Sequence, residues 1–459
     1  MKTRRSVFLL AAMLCLATMV KAVGQSGMYR WSVELAGYTS AETGHSPTAY
    51  LWIPDGCRKV KAVVLAQQNM TEEAIFRMPA FQKEMKRMDV GLVWVAPWFS
   101  QKWDPQTGAQ QIFEEMMVGL AGQSGHSELA TVPVVPLGHS AQATFPWNFA
   151  AWNPDRTLCI VSFHGDAPRT NLCGFGTANV EWGRRRNIDG IPGLMIEGEY
   201  EWWDARVRPA LAFRMMYPEA CISFLCDAGR GHFDCGEPTA LYIAKFIGKS
   251  LEQRLCADGT LKKVDPKKGW LLPAPESAPD AVESAALPVF PDISAAPYSE
   301  YGGDVHTAFW YFDREMAGLT QRRYDETKGK KMQYVGFEYG GRLVPYSDKV
   351  QGGMRIHFDG GGRDSITITL RAVYTDSTHT APTDRHGRHR PRIEVVRGPV
   401  RKIDDTTFRL CVYEAGWDNP RRAFNFTLVA VADADGEYKG AVQPINVTFP
   451  KSLVDKIRP

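Results

Sequence analysis

Hydrophobic periodicity divides this chain into two regions of different character. From about residue 28 to 255, short apolar runs alternate with segments of helical spacing. Ala49 to Ile53 reads as an early strand and Ala62 to Gln67 as a buried one. Glu72 to Met88 reads as a helix, Gly91 to Ala96 as a strand, and Gln110 to Gly119 as a helix. An apolar run from Leu129 to Leu137 comes next. Thr157 to Phe163 and Gly193 to Ile196 are further strands. Asp204 to Met216 is helical, Cys221 to Cys226 is the last strand, and Pro238 to Leu255 a closing helix. Strands and helices in this alternation predict an α/β fold, a mostly parallel sheet covered by helices.

The pattern changes after residue 255. Lys and Pro are frequent from Lys262 to Pro275, then Ala, Ser and Pro up to Pro297. This predicts a surface connector over 256–300. Beyond it, an aromatic run at Phe309 to Phe312 precedes alternating segments at Arg355 to Phe358, Ser365 to Leu370, Arg392 to Val396, Phe408 to Val412 and Phe424 to Val431. Their spacing predicts a C-terminal antiparallel β-sandwich over 301–459.

The N-terminus alters the picture of charge. Lys2, Arg4 and Arg5 precede an apolar run from Val7 to Val20, and Lys21-Ala22 follows. This reads as a secretory signal over 1–22, too short to be a comfortable membrane span, and it predicts export to the periplasm or beyond the cell. The catalytic region is then 23–255. Four basic residues leave with the signal, so the formal charge of +3 becomes −1. Nothing in that balance favours nucleic acid as a partner. No other stretch is long and apolar enough to span a membrane. Eight cysteines remain in the mature chain. No Cys/His spacing resembles a zinc site, so neither metal nor cofactor is expected. Cys173 and Cys235 could form a bridge, and Cys159, Cys221 and Cys226 read as buried thiols.

The candidate chemistry centres on Gly138-His139-Ser140-Ala141-Gln142. A strand, a sharp turn and a helix meet at Ser140, as in the nucleophile elbow of an α/β hydrolase. Gln142 stands where the G-x-S-x-G pattern has its second glycine. A serine needs a base to take its proton. In this fold the base comes last in chain order, which selects His232 in the loop Asp227-Ala228-Gly229-Arg230-Gly231-His232. His139 and His164 are rivals, the first as a packing or hydrogen-bonding group, the second as a pocket residue. The acid that orients the base belongs in Glu197-Gly198-Glu199-Tyr200-Glu201-Trp202-Trp203-Asp204. A Gly-x-x-acid spacing favours Glu201, with Asp204, Glu199 and Asp166 as alternatives. The oxyanion donors would be the backbone N–H of Ala141 and that of Gln68 or Asn69, with Asn69 preferred. Thr71 would cap the following helix. The long segment Asp166 to Asp189 carries Arg169 and Arg184, which suit carboxylate groups. Trp202 suits a sugar face. Trp98, Trp103, Trp147 and Trp203 lie near loops that could gather at the same edge.

Three segments together carry a wider resemblance: Gly138-His139-Ser140-Ala141-Gln142-Ala143-Thr144-Phe145-Pro146-Trp147-Asn148, Gly198-Glu199-Tyr200-Glu201-Trp202, and Gly231-His232-Phe233. They resemble a secreted gut-bacterial family of α/β-hydrolase carbohydrate esterases, in its pectin methylesterase type. The resemblance spans the hydrolase region and the aromatic segment near Phe309 to Arg314. It implies a metal-independent Ser-His-acid esterase with a C-terminal β-sandwich, acting on pectic poly- or oligosaccharide. An acetyl esterase on plant polysaccharide and a non-catalytic glycan-binding protein with a relic hydrolase domain are the competing readings. The complete set of Ser140, His232 and an acid argues against the relic.

Overall fold

The computed structural model describes residues 28–40, 44–69, 71–171, 178–199, 201, 204–232, 235–277, 288–345, 353–355, 365–383, 390–397, 400–411 and 424–449. The expected signal over 1–22, and also Trp202, Trp203, Phe233 and Cys173, lie outside these residues.

An eight-stranded sheet organises the catalytic region. Its strands are β1 (Trp31–Glu34), β2 (Thr48–Trp52), β3 (Ala62–Gln67), β4 (Val90–Ala96), β5 (Val134–His139), β6 (Ile160–Phe163), β7 (Pro192–Gly198) and β8 (Cys221–Asp227). The order across the sheet is β1-β2-β4-β3-β5-β6-β7-β8. The first two strands are antiparallel to their neighbours, and β4 through β8 run parallel. An antiparallel edge followed by a parallel sheet in this order is the α/β-hydrolase fold. Every residue of β3, β5, β7 and β8 is buried. Strands covered on both faces read as continuous apolar runs, which is why the sequence marked them.

Among the described residues, seven helices flank or follow these strands: α1 (Glu72–Arg77), α2 (Pro79–Met88), α3 (Ala109–Ser124), α4 (Thr144–Trp152), α5 (Asp204–Met216), α6 (Glu237–Arg254) and α7 (Arg314–Asp325). The single helix expected over Glu72 to Met88 is two. Met78 is extended and Pro79 opens the second helix, where its missing N–H costs nothing. The apolar run expected as a strand from Leu129 begins as a 3-10 turn over Ser127–Ala130. Among the described residues, no helix is long and apolar enough to cross a membrane. Cys57, Cys159, Cys221, Cys226 and Cys256 are free thiols. Burial pushes the Cys159 thiol up to about 12, so it packs as an apolar group.

The segment 256–300 is more than a connector. It contains β9 (Trp270–Pro273), which pairs with Ala296–Pro297 on one side and with β10 (Ala308–Tyr311) on the other. Leu271, Leu272, Phe309, Trp310 and Tyr311 join Phe224 and Leu225 of β8 in one core. Phe224 and Phe309 stack with centroids 5.0 Å apart. The Tyr311 hydroxyl donates to the Phe224 carbonyl, and Ser223 donates to the carbonyl of Trp310. α7 adds Met316, Ala317 and Tyr324 to the same core. The next strand after α7 is Tyr334–Tyr339, which opens the β-rich region. It holds small, mainly antiparallel sheets around a separate core that includes Val335, Phe337, Ile368, Ile393, Phe408, Leu428 and Ile445.

Candidate active site

The site forms at the C-terminal ends of β5 to β8. Ser140 follows β5 directly and has a φ of 53°. A non-glycine residue in that region is strained, and such strain persists where the surroundings enforce it. Here the enforcing contact is close. A Cβ at Gly138 would lie 2.0 Å from the carbonyl oxygen of Gln142. The second close approach occurs one residue later than the G-x-S-x-G pattern implies. A Cβ at Gly165 would meet Ala143 Cβ at 1.9 Å, so Ala143 is the position that must stay small. Gln142 is accommodated because the crowding is at its neighbours. Its side chain is buried.

Ser140 Oγ lies 2.7 Å from His232 Nε2. His232 Nδ1 donates to Glu201 Oε2 at 2.6 Å. Serine, base and acid thus form one unbroken hydrogen-bonded chain. Ser140 and His232 are partly exposed and Glu201 is buried. Glu201 Oε1 accepts from His164 Nδ1 and from the backbone N–H of Gly198. Burial alone would raise the Glu201 carboxyl. The imidazoles of His164 and His232, through charge and hydrogen bonds, hold it well below the usual carboxylate range.

The other acids have different partners. Asp166 accepts from Thr144 Oγ1 at 2.7 Å, at the start of α4. Asp204 accepts from the N–H of Ala205 at 2.9 Å. Glu199 pairs with Lys439 and accepts from the N–H of Gly229 at 2.9 Å. Glu197, which sequence reasoning did not single out, points into the same buried region. It accepts from the N–H of Gly165 at 2.9 Å. Burial first, then the charge of Glu201, push its carboxyl well above the usual range. The donor atoms of His164, Glu197 and Glu201 lie within 4.8 Å of one another. His164 and Glu201 are already hydrogen-bonded to each other.

The loop after β3 supplies the other side of the site. The N–H of Gln68 donates to the Val95 carbonyl at 2.7 Å. That bond occupies the Gln68 N–H. The Asn69 side-chain amide donates to the His139 carbonyl at 2.5 Å, tying its loop to the elbow. The N–H of Ala143 donates to the Ser140 carbonyl, whereas that of Ala141 follows the nucleophile at the turn. Thr71 makes no side-chain cap. Instead Glu72 takes its N–H at 3.1 Å and that of His139 at 2.8 Å. His139 is buried, and burial first, then the charges of His232 and His164, hold its imidazole well below its ordinary value. Its Nε2–H donates to the His232 carbonyl at 2.6 Å. His139 thus braces the His232 backbone.

The expected substrate residues are less tightly gathered. Arg169 donates to the Tyr217 hydroxyl at 2.7 Å, lies 5.9 Å from the Trp182 ring and has Glu181 at 3.7 Å. Arg184 is exposed on a turn. Trp103 and Trp147 are fully buried and belong to the core. Trp103 packs within an aromatic cluster, 4.8 Å from Phe149, and Trp147 Nε1 donates to the Asp166 carbonyl at 2.6 Å. Trp98 is half-buried and directly follows the cis Ala96-Pro97 bond.

No family model matches the chain, and no curated protein matches it. Solved structures align with about half of the chain at low identity. Est1E from Butyrivibrio proteoclasticus is 13% identical over 49% of this chain and 100% of its own, with a TM-score of 0.32. The S-formylglutathione hydrolase FrmB from Staphylococcus aureus is 11% identical over 49% and 100%, with a TM-score of 0.33. An IroE-like serine hydrolase from Shewanella oneidensis is 11% identical over 48% and 80%, at 0.34. The strand order and the site geometry carry the fold assignment without them.

Proposed function

We propose that this protein is an exported serine esterase that removes ester groups from complex pectin, with methyl esters of galacturonate as its substrate. The hydrogen-bonded chain from Ser140 through His232 to Glu201 carries the esterase reading. The pectic substrate rests on the resemblance of the three sequence segments. Ser140 Oγ attacks the ester carbonyl while His232 Nε2 takes its proton. Glu201 holds the imidazolium. The N–H groups of Ala141 and Asn69 receive the oxyanion, each worth roughly 100- to 1,000-fold in rate. His232 then protonates the departing methoxide, and methanol leaves. Water, deprotonated by His232, attacks the acyl-enzyme and frees the sugar acid. Arg169 and Arg184, with Trp202, are proposed to bind neighbouring uronates.

The test is direct. Methyl-esterified and acetylated pectic oligosaccharides are incubated separately, and methanol and acetate are assayed. Methanol release that disappears in Ser140→Ala supports the reading. Acetate without methanol would replace the methylesterase by an acetyl esterase. Glycan binding with release of neither would favour a binding protein.

A further inference from the structure

The triad acid serves two imidazoles, and only one of them contacts the serine. His232 Nδ1 takes Glu201 Oε2, and His164 Nδ1 takes Oε1. The two rings are 6.1 Å apart. A carboxylate accepts only, so both nitrogens donate. His164 is completely buried and has a φ of 49° immediately after β6. Its N–H donates to the Ile196 carbonyl of β7 at 2.7 Å, which fixes its backbone against the strand that leads to Glu201. A ring in strained backbone, spending its donor on the acid of a triad, has a role beyond filling space.

We propose that His164 is a positioning residue that sets the basicity of Glu201 and, through it, the proton affinity of His232. This rests on the esterase reading above and deepens it. A hydrogen bond to the charged carboxylate disperses its negative charge. Less of that charge is then available to hold a proton on His232. Charged or titratable groups from every neighbouring element face this cluster. They are His139 at the end of β5, Asp166 in the loop after β6, Glu197 on β7 and Arg206 on α5. Glu199, just after β7, and Asp227, the last residue of β8, join them. Their partners are Lys439 and Arg323.

The experiment follows the titration of His232 by imidazole nitrogen NMR in the full chain, alongside the pH profile of kcat/KM on 4-nitrophenyl acetate. His164→Phe keeps a ring and removes the donor. The His232 midpoint and the acidic limb should both move up by about one unit. Should His164→Phe fail to fold, His164→Gly accepts the positive φ and should shift the same way. His164→Asn keeps a donor near the Nδ1 position and is tolerated at positive φ, so its midpoint should stay with the parent protein. An unmoved midpoint in a folded donor-less variant overturns the proposal, as does an Asn variant shifted as far as the Phe variant. A parent protein that neither turns over the ester nor is labelled at Ser140 by a fluorophosphonate would instead overturn the esterase reading. The NMR midpoint still decides the role of His164.

Discussion

Glu201 and Glu197 are neighbours on and after one strand, yet their environments push them in opposite directions. Glu201 receives three donors, whereas Glu197 is buried beside the Glu201 charge. Glu201→Gln places an amide donor against groups that already donate. We expect kcat to fall by about 10,000-fold with the fold intact, checked by turnover and circular dichroism on the same sample. The linkage to stability also has two signs. The lowered Glu201 contributes stability that is present above the unfolded carboxylate value of about 4.3 and is lost as pH falls through its folded value. The raised Glu197 costs stability as pH rises above about 4.3 towards its folded value. Glu197→Gln should therefore melt higher than the parent protein at pH 7 to 8 and lose that advantage below pH 4, as read by a pH series of melting temperatures.

At the level of elements, the elbow depends on two glycines that perform the same task from different strands. Gly138→Ala drives a Cβ into the Gln142 carbonyl, and Gly165→Ala drives one into Ala143. Each should cost about 1–3 kcal/mol of stability. Each should also lose ester turnover by more than its fraction unfolded, because Ser140 is displaced. Denaturant midpoints and turnover measured together check this. The sheet was legible because β3, β4, β7 and β8 are nearly continuous apolar runs, and Ser140, Glu201 and His232 because each sits just past a strand end. β1 was not legible: its four residues alternate only weakly between half-buried and exposed. Tyr334–Tyr339, Arg371–Thr375 and Ala441–Phe449 were missed too, since polar residues, glycine or proline interrupt their apolar pattern. His164 could be named as a pocket residue. Its contact with Glu201 depends on how the ends of β6 and β7 are staggered, which no local pattern records.

At the scale of the molecule, the β-rich region reaches the catalytic loops. Lys439 pairs with Glu199, and both side chains are largely buried. Glu199 in turn receives the N–H of Gly229, on the loop that carries His232. A Cβ at Gly229 would lie 2.4 Å from the Gly440 carbonyl oxygen. Lys439→Met leaves a buried carboxylate unpaired and should cost about 3–5 kcal/mol, with turnover falling as the two loops loosen. Adding Glu199→Gln should return part of both losses. A double-mutant cycle with no coupling would show that the contact does not hold the loops.

The sheet of β9 and β10 has a consequence for how the chain can be divided. Phe309, Trp310 and Tyr311 are the cover of β8, and β8 leads into the loop of His232. A chain cut at residue 255 would bare that strand's face to water and present a wide apolar patch for aggregation. The smallest autonomous catalytic piece therefore ends no earlier than Asp325. A cut after α7 keeps that cover but removes Lys439 and Gly440, which pack on the loops of Glu199 and Gly229.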